Sequence, residues 1–505
     1  MSCNMDNELR GRLRDFLASP LCKESYNELS NTISVEGLLK LLLASNSQDD
    51  TAMITDILKR LTILGVLDDV IFEIPNVMEV LEKGARSNME CIRLLVATIL
   101  NSLSMSESKC VRACDEGFCS LLALLLRDSE ISVGESASKT LKLISQNNPK
   151  YVYDQDLIAG LLENFKSLKD ETRIRIIDTY ISIGSASEEL FNMCQEKGGF
   201  YTLALNEYFS EDILLKLVSM KLLEDLGEYE WGVRFIIKNS TPDLLINDLN
   251  DQMFDDEIKI SIVYLLSRMI KNDPEMAHKV FKMSGGSFIS ILKEFMMSYS
   301  NTNSCGDCLK SVCAINCWGL FVSSLTSFQS LMDNWEESFQ LMLGLVSNSN
   351  SEISLSCLNA WVAFFESKDV KDILDKAKTS FIIKQSIEKQ LLPVLISDLT
   401  SRPFPENRTL LYRILALMIP NFPSVTSNLV SNSKIRDLIL NPNSDSNKEV
   451  LYIKYDLVKQ MVAFDQGTIT SIADPNFCSS LQEYAKAGPF YRSHSAEMKV
   501  QDTTM

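Results

Sequence analysis

The sequence predicts an all-α fold, a right-handed superhelical solenoid of armadillo/HEAT-like repeats. Three observations carry this. Residues 170–184 read DETRIRIIDTYISIG, with Ile174, Ile177 and Ile181 at helical spacing and Tyr180 beside them. The pattern then returns. An acid stands four residues before a base in Glu135–Lys139, Glu171–Arg175, Asp212–Lys216 and Asp255–Lys259. The steps between the basic residues are 36, 41 and 43, and periods near 40 in helical sequence mark armadillo or HEAT repeats of two or three helices. Finally, 19 Gly and 13 Pro in 505 residues are few for a β-rich protein, which needs many turns.

The totals agree. A single core would not serve 505 residues, whereas a solenoid buries each repeat on its neighbours. A formal charge of -18 argues against a nucleic-acid or anionic-membrane protein and permits a partner with basic surfaces. The 13 Cys are scattered among apolar positions, as at Cys91, Cys194 and Cys357, which suits reduced thiols in the cytosol or nucleus. Residues 1–10 are polar and acidic, so no secretory signal is expected. Apolar runs fall short of a membrane span; 121–126 is the densest, and Arg127 and Asp128 close it.

In chain order, residues 1–87 are expected to be a capping region of less regular period, with helices at 6–17, 35–44 and 51–67. The solenoid then runs over 88–490. Long helices closing its repeats are expected at 88–103, 131–145, 170–184 and 212–227, then from 255, and again at 308–325, 354–365, 408–418 and 448–462. Asn147-Asn148-Pro149 stops the second of these. Shorter partner helices precede them, among them 118–126, 156–165, 202–209, 288–297 and 330–345, with a polar loop at 298–304. Residues 491–505 lack periodicity and are expected to be a disordered tail.

Little catalytic chemistry is visible. His278 and His494 are the two histidines, far apart, and no phosphate loop or nucleophile elbow occurs. No cofactor and no enzymatic activity are expected. Cys305, Cys308, Cys313 and Cys317 cluster, but the spacing lacks the two separated pairs of a zinc site, so small core residues are the default. The four Trp residues are expected in the core, although Trp361 could face a groove.

The recurring base is the better lead. Arg93, Lys139, Arg175, Lys216, Lys259, Lys310 and Lys454 take equivalent places early in the closing helices. On a concave side they would form a ladder meeting carboxylates or carbonyls of a partner. The alternative is that they serve the repeats' own turns, where exposed pairs contribute little.

The C-terminal fifth carries four motifs in order. They are Pro403-Phe404-Pro405-Glu406, Lys454-Tyr455-Asp456-Leu457-Val458-Lys459, Asp474-Pro475-Asn476-Phe477 and Gly488-Pro489-Phe490-Tyr491. In the second, Leu457 and Val458 would pack while Lys454 and Lys459 stay in water. Together the motifs resemble the proteasome non-ATPase regulatory subunit 5 family, with Asp474 standing where that family has Asn. The resemblance extends back to about residue 160. It implies a cytosolic or nuclear assembly chaperone, monomeric when free, without membrane or nucleic-acid partners. Such a chaperone would hold the C-terminal domain of an AAA-ATPase subunit of the regulatory-particle base in its concave face. It would delay docking on the core particle and leave before the particle matures. A generic armadillo adaptor for extended peptides is the competing reading; such grooves carry regular Asn and Trp, whereas here Asn359 and Trp361 share one helix.

Overall fold

The computed structural model describes residues 7–491 except 46, 240, 252–253, 274, 285, 303, 377–379, 442–443, 465–470, 472 and 474. The tail with His494 and the motif residue Asp474 lie outside them. Helices group into two compact units, Met1–Gly232 and Val233–Met505.

The repeating element has three helices: a short one, a middle one and a long closing one. In the first unit the closing helices are Gln48–Ile63, Glu90–Ser104, Ile131–Asn147, Asp170–Gly184 and Ile213–Leu226. In the second they are Asp256–Asn272, Cys305–Val322, Ser351–Glu366, Pro405–Met418 and Lys448–Phe464. Within each unit every closing helix packs on the next in chain order. Middle helices such as Val35–Ala44, Val77–Ala85 and Phe118–Leu126 stack likewise, so each unit is a two-layered α-solenoid of HEAT/armadillo-like repeats. Residues 23–63, expected to be less regular, contain the same triplet: Lys23–Ser30, Val35–Ala44 and Gln48–Ile63. Outer helices close the two stacks: Asn7–Ala18 packs on Gln48–Ile63, and Pro475–Ala487 on Lys448–Phe464.

Local chemistry sets the starts. Asp212 Oδ1 accepts from the Leu214 and Leu215 amides at 2.8 and 3.2 Å, and Asp255 Oδ1 from Ile258 N at 3.1 Å. The two acids found four residues before Lys216 and Lys259 are therefore helix caps. Pro405 opens its helix at the position where a missing N–H costs nothing.

A closing helix is flanked on both sides, so it buries more than one stripe. Asp170–Gly184 buries Ile176, Ile177, Tyr180, Ile181 and Ile183 and leaves Ile174 half exposed. The Tyr180 ring stacks on Phe200, centroids 3.8 Å apart, and its hydroxyl donates to Val152 O at 3.0 Å. In the second unit Trp318 and Trp361 meet edge-on at 5.2 Å, with Phe339 and Trp335 close by. Trp361 is fully buried, so it faces the core and no groove.

Three local expectations need correction. Of the loop expected at 298–304, residues 298–302 belong to the helix Ser287–Thr302, and Ser298 Oγ donates back to Phe295 O at 2.7 Å. Cys305–Val322 is apolar enough and long enough to cross a membrane by length and composition, contrary to expectation, yet half of it is buried among neighbouring helices. Lys454 is 1% exposed rather than in water.

Candidate partner-binding groove

Three consecutive closing helices of the first unit, Ile131–Asn147, Asp170–Gly184 and Ile213–Leu226, enclose an open groove of about 680 Å³. Its apolar lining is Ile131, Ile174, Leu214, Leu215 and Val218. Exposed Ile131 (63%) and Leu214 (74%) are unusual for their type, and neighbouring Ile213, Val218 and Phe209 are exposed as well. Contiguous apolar surface of this kind, rimmed by charge, marks an interaction site.

The charged lining divides by partner. Lys142 Nζ lies 3.5 Å from Asp178, and Asp170 pairs with Arg173 at 2.9 Å. Glu135, Glu171 and Lys139 are exposed. The buried hydroxyl of Ser138 is engaged with Thr179 Oγ1 at 2.8 Å. This lining holds no His, Cys, Asn or Gln side chain. Among the described residues no group of three or more His, Cys, Asp or Glu could hold a metal.

The four ladder residues of the first unit, Arg93, Lys139, Arg175 and Lys216, do not share one groove lining. Lys139 and Arg175 are the two that reach the groove. Lys139 is exposed there. Arg175 crosses Gly134 of the preceding helix, where a Cβ would stand 1.4 Å from its Nη1, and donates to Asp128 O at 3.0 Å and Leu126 O at 3.4 Å. Burial draws its pKa below the ordinary value, opposed by Asp128 and Glu135. Lys216 places its ammonium over the Tyr208 ring at 4.9 Å, and Lys259 is half buried. Lys310 binds Asp256 at 2.6 Å and Asp307 at 2.9 Å. Lys454 donates to Asn441 O, Ser444 Oγ and Asp445 at 3.2, 2.7 and 3.2 Å.

Arg93 reveals what the basic position does. Its Nε and Nη2 fork onto Asp128 at 2.5 and 3.0 Å, and Nη1 reaches Ser87 O at 2.9 Å. The Asp128 hydrogen bond holds its pKa above the ordinary value. Arg173 repeats this fork with Glu207 and Leu168 O, whereas Arg408 reaches Asp445 with Nη1 alone and also binds the carbonyls of Arg402 and Ser444. Each arginine is the fourth residue of its closing helix, and each acid follows 35, 34 or 37 positions later, shortly before the next closing helix: Asp128 and Asp445 between helices, Glu207 at the end of Phe200–Tyr208. Such contacts fix repeat to repeat. Lys139, Arg175, Lys310 and Lys454 lie deeper in their helices, so the ladder joined unlike registers. Arg173 and Arg408 were missed as clamps; the acid about 35 residues downstream was the available signal.

Comparison with solved structures gives the fold alone. A chain of the Kap95:Nup1 complex is similar with a TM-score of 0.54 at 13% identity, over 92% of this chain and 55% of that one. An engineered protein from a structural genomics consortium covers 85% of this chain and 99% of its own, at 16% identity and a TM-score of 0.49. Curated proteins give no match. The family model described as "Proteasome non-ATPase 26S subunit" matches residues 8–502, nearly the whole chain. The chain belongs to the proteasome non-ATPase 26S subunit family.

Proposed function

We propose that this protein is a non-catalytic assembly chaperone of the proteasome regulatory particle. It seats the C-terminal domain of an AAA-ATPase subunit of the base in the groove of the first unit, and so delays docking of the base on the core particle. It acts in the cytosol or nucleus, and the free chain is a monomer. The observation that carries the reading is the exposed apolar strip Ile131–Ile174–Leu214–Val218 across three closing helices, in a chain of a proteasome family. The subunit 5 resemblance rests on the four C-terminal motifs as sequence; in the second, Leu457 and Val458 are buried and so is Lys454, and in the first Phe404 stands exposed at the head of the Pro405 helix.

The test uses purified full chain and the separate C-terminal domains of the proteasomal ATPase subunits, measured by calorimetry. Tight binding of one domain, weakened at least tenfold by Leu214→Asp, is the expected result. Failure of every domain to bind would overturn the proposal. In a pull-down at mild salt, ATPase subunits should come without the proteolytic core; recovery of the assembled core particle would equally overturn it.

A further inference from the structure

We infer that the groove of the first unit takes a single amphipathic α-helix with a basic flank, and not an extended peptide. The inference rests on the reading of this groove as the partner's seat and specifies the partner's chemistry.

The lining disfavours an extended strand on hydrogen-bond grounds. An extended peptide brings one N–H and one C=O per residue, and each needs a partner when the peptide is seated on apolar surface. Amide side chains, which donate and accept at once, serve such a segment best. This lining has neither Asn nor Gln, and its buried hydroxyl, Ser138, is already engaged with Thr179. A helix satisfies its backbone internally and needs only an apolar floor.

The floor has the matching period. Its apolar residues come from three adjacent closing helices: Ile131 from the first, Ile174 from the second, Leu214 and Val218 from the third. Packed helices lie about 10 Å apart, so three span about 20 Å. At 1.5 Å per residue that is about 13 residues, with an apolar contact about every seven. An occupant with apolar residues at i, i+7 and i+14 on one face meets all three.

The rim sets the charge. Arg175 is turned into the carbonyls of Leu126 and Asp128, and Lys142 is beside Asp178. Lys139 is then the exposed cation facing Glu135, Glu171 and Asp170, the last two at the start of their helix. Lysines or arginines along one side of the partner helix meet that acidic edge, and such complementarity governs approach and register.

Three synthetic peptides of about 16 residues, enough to span three helices, test this against the full chain by fluorescence anisotropy. The first is a stapled helix with Leu at i, i+3, i+7, i+10 and i+14 and Lys on one flank. The second replaces Lys by Glu, and the third is an unstapled isomer of the first broken by a central Pro. The first should bind, at least tenfold more tightly than either of the others, and Leu214→Asp and Val218→Asp should each weaken it tenfold with unchanged thermal melting. Glu171→Lys should weaken the first peptide and strengthen the second. Equal binding of the broken isomer, equal binding of the Glu peptide, or no binding of the first would overturn the inference. Loss of ATPase-domain binding with the peptide ranking intact would instead remove the proposed cargo and leave the groove's chemistry standing.

Discussion

Arg173 grips both oxygens of Glu207, Nε and Nη2 lying 2.7 and 2.9 Å from Oε1 and Oε2. Both side chains are largely shielded from water. Removing Arg173 takes from shielded Glu207 both of these hydrogen bonds, so Arg173→Ala should cost about 2 kcal/mol; Glu207→Ala should cost less, because Arg173 keeps Asp170 and Leu168 O. A double-mutant cycle followed by urea unfolding should give a coupling of about 1–3 kcal/mol. Additive effects would show that the pair is incidental.

Gly134→Ala should be destabilising although it replaces glycine inside a helix, a change otherwise worth up to about 1 kcal/mol of gain. The new Cβ would collide with the Arg175 guanidinium, which then abandons the carbonyls of Asp128 and Leu126. In the Arg175→Ala background the same substitution should stabilise. This reversal of sign, read from thermal melts of four proteins, is the test.

Asp445 gives a pH dependence. Burial opposes its ionisation, but the Arg408 hydrogen bond and the Lys454 charge outweigh it, so its pKa lies below 3.8. A depressed carboxyl contributes stability that is present above the unfolded value, about 3.9, and is lost as pH falls through the folded value. Urea midpoints should therefore drop steeply below about pH 4. Asp445→Asn should be less stable at neutral pH and show a shallower loss on acidification.

Lys139 and Lys454 should separate cleanly. Lys454→Ala leaves buried Asp445 with Arg408 as its remaining cation and should cost about 2 kcal/mol. Lys139→Glu changes an exposed position and should stay within about 0.5 kcal/mol. Denaturation measures both; a large loss for Lys139→Glu would remove it from the groove's free rim.

Much of the architecture was legible because a closing helix must repeat its apolar pattern to stack. Asp170–Gly184 and its copies announced the period, and Asp212 and Asp255 marked helix starts whose capping role only the amide contacts disclose. Side-chain destination was not legible. Arg173 and Arg175 differ by two positions, yet one points forward to Glu207 and the other back to Asp128. Successive helical positions turn by about 100°, so a register slip of two sends a base to another neighbour. Lys454 was placed in water because the sequence does not show that the chain folds Asp445, itself held by Arg408, back onto its ammonium. The groove went unread since Ile131 and Leu214 look like any core residue until their neighbours are known.

The Arg93, Arg173 and Arg408 contacts each tie one triplet to the following one, which affects how such an array can be cut or recombined. A module excised from its first helix to its last carries an arginine without its acid, or an acid without its arginine. Transplanted blocks should keep their integrity when the breakpoint falls beyond the acid, after Asp128 or Glu207, instead of at the visible gap between triplets. The segment that can be exchanged intact is therefore offset from the one the eye picks out.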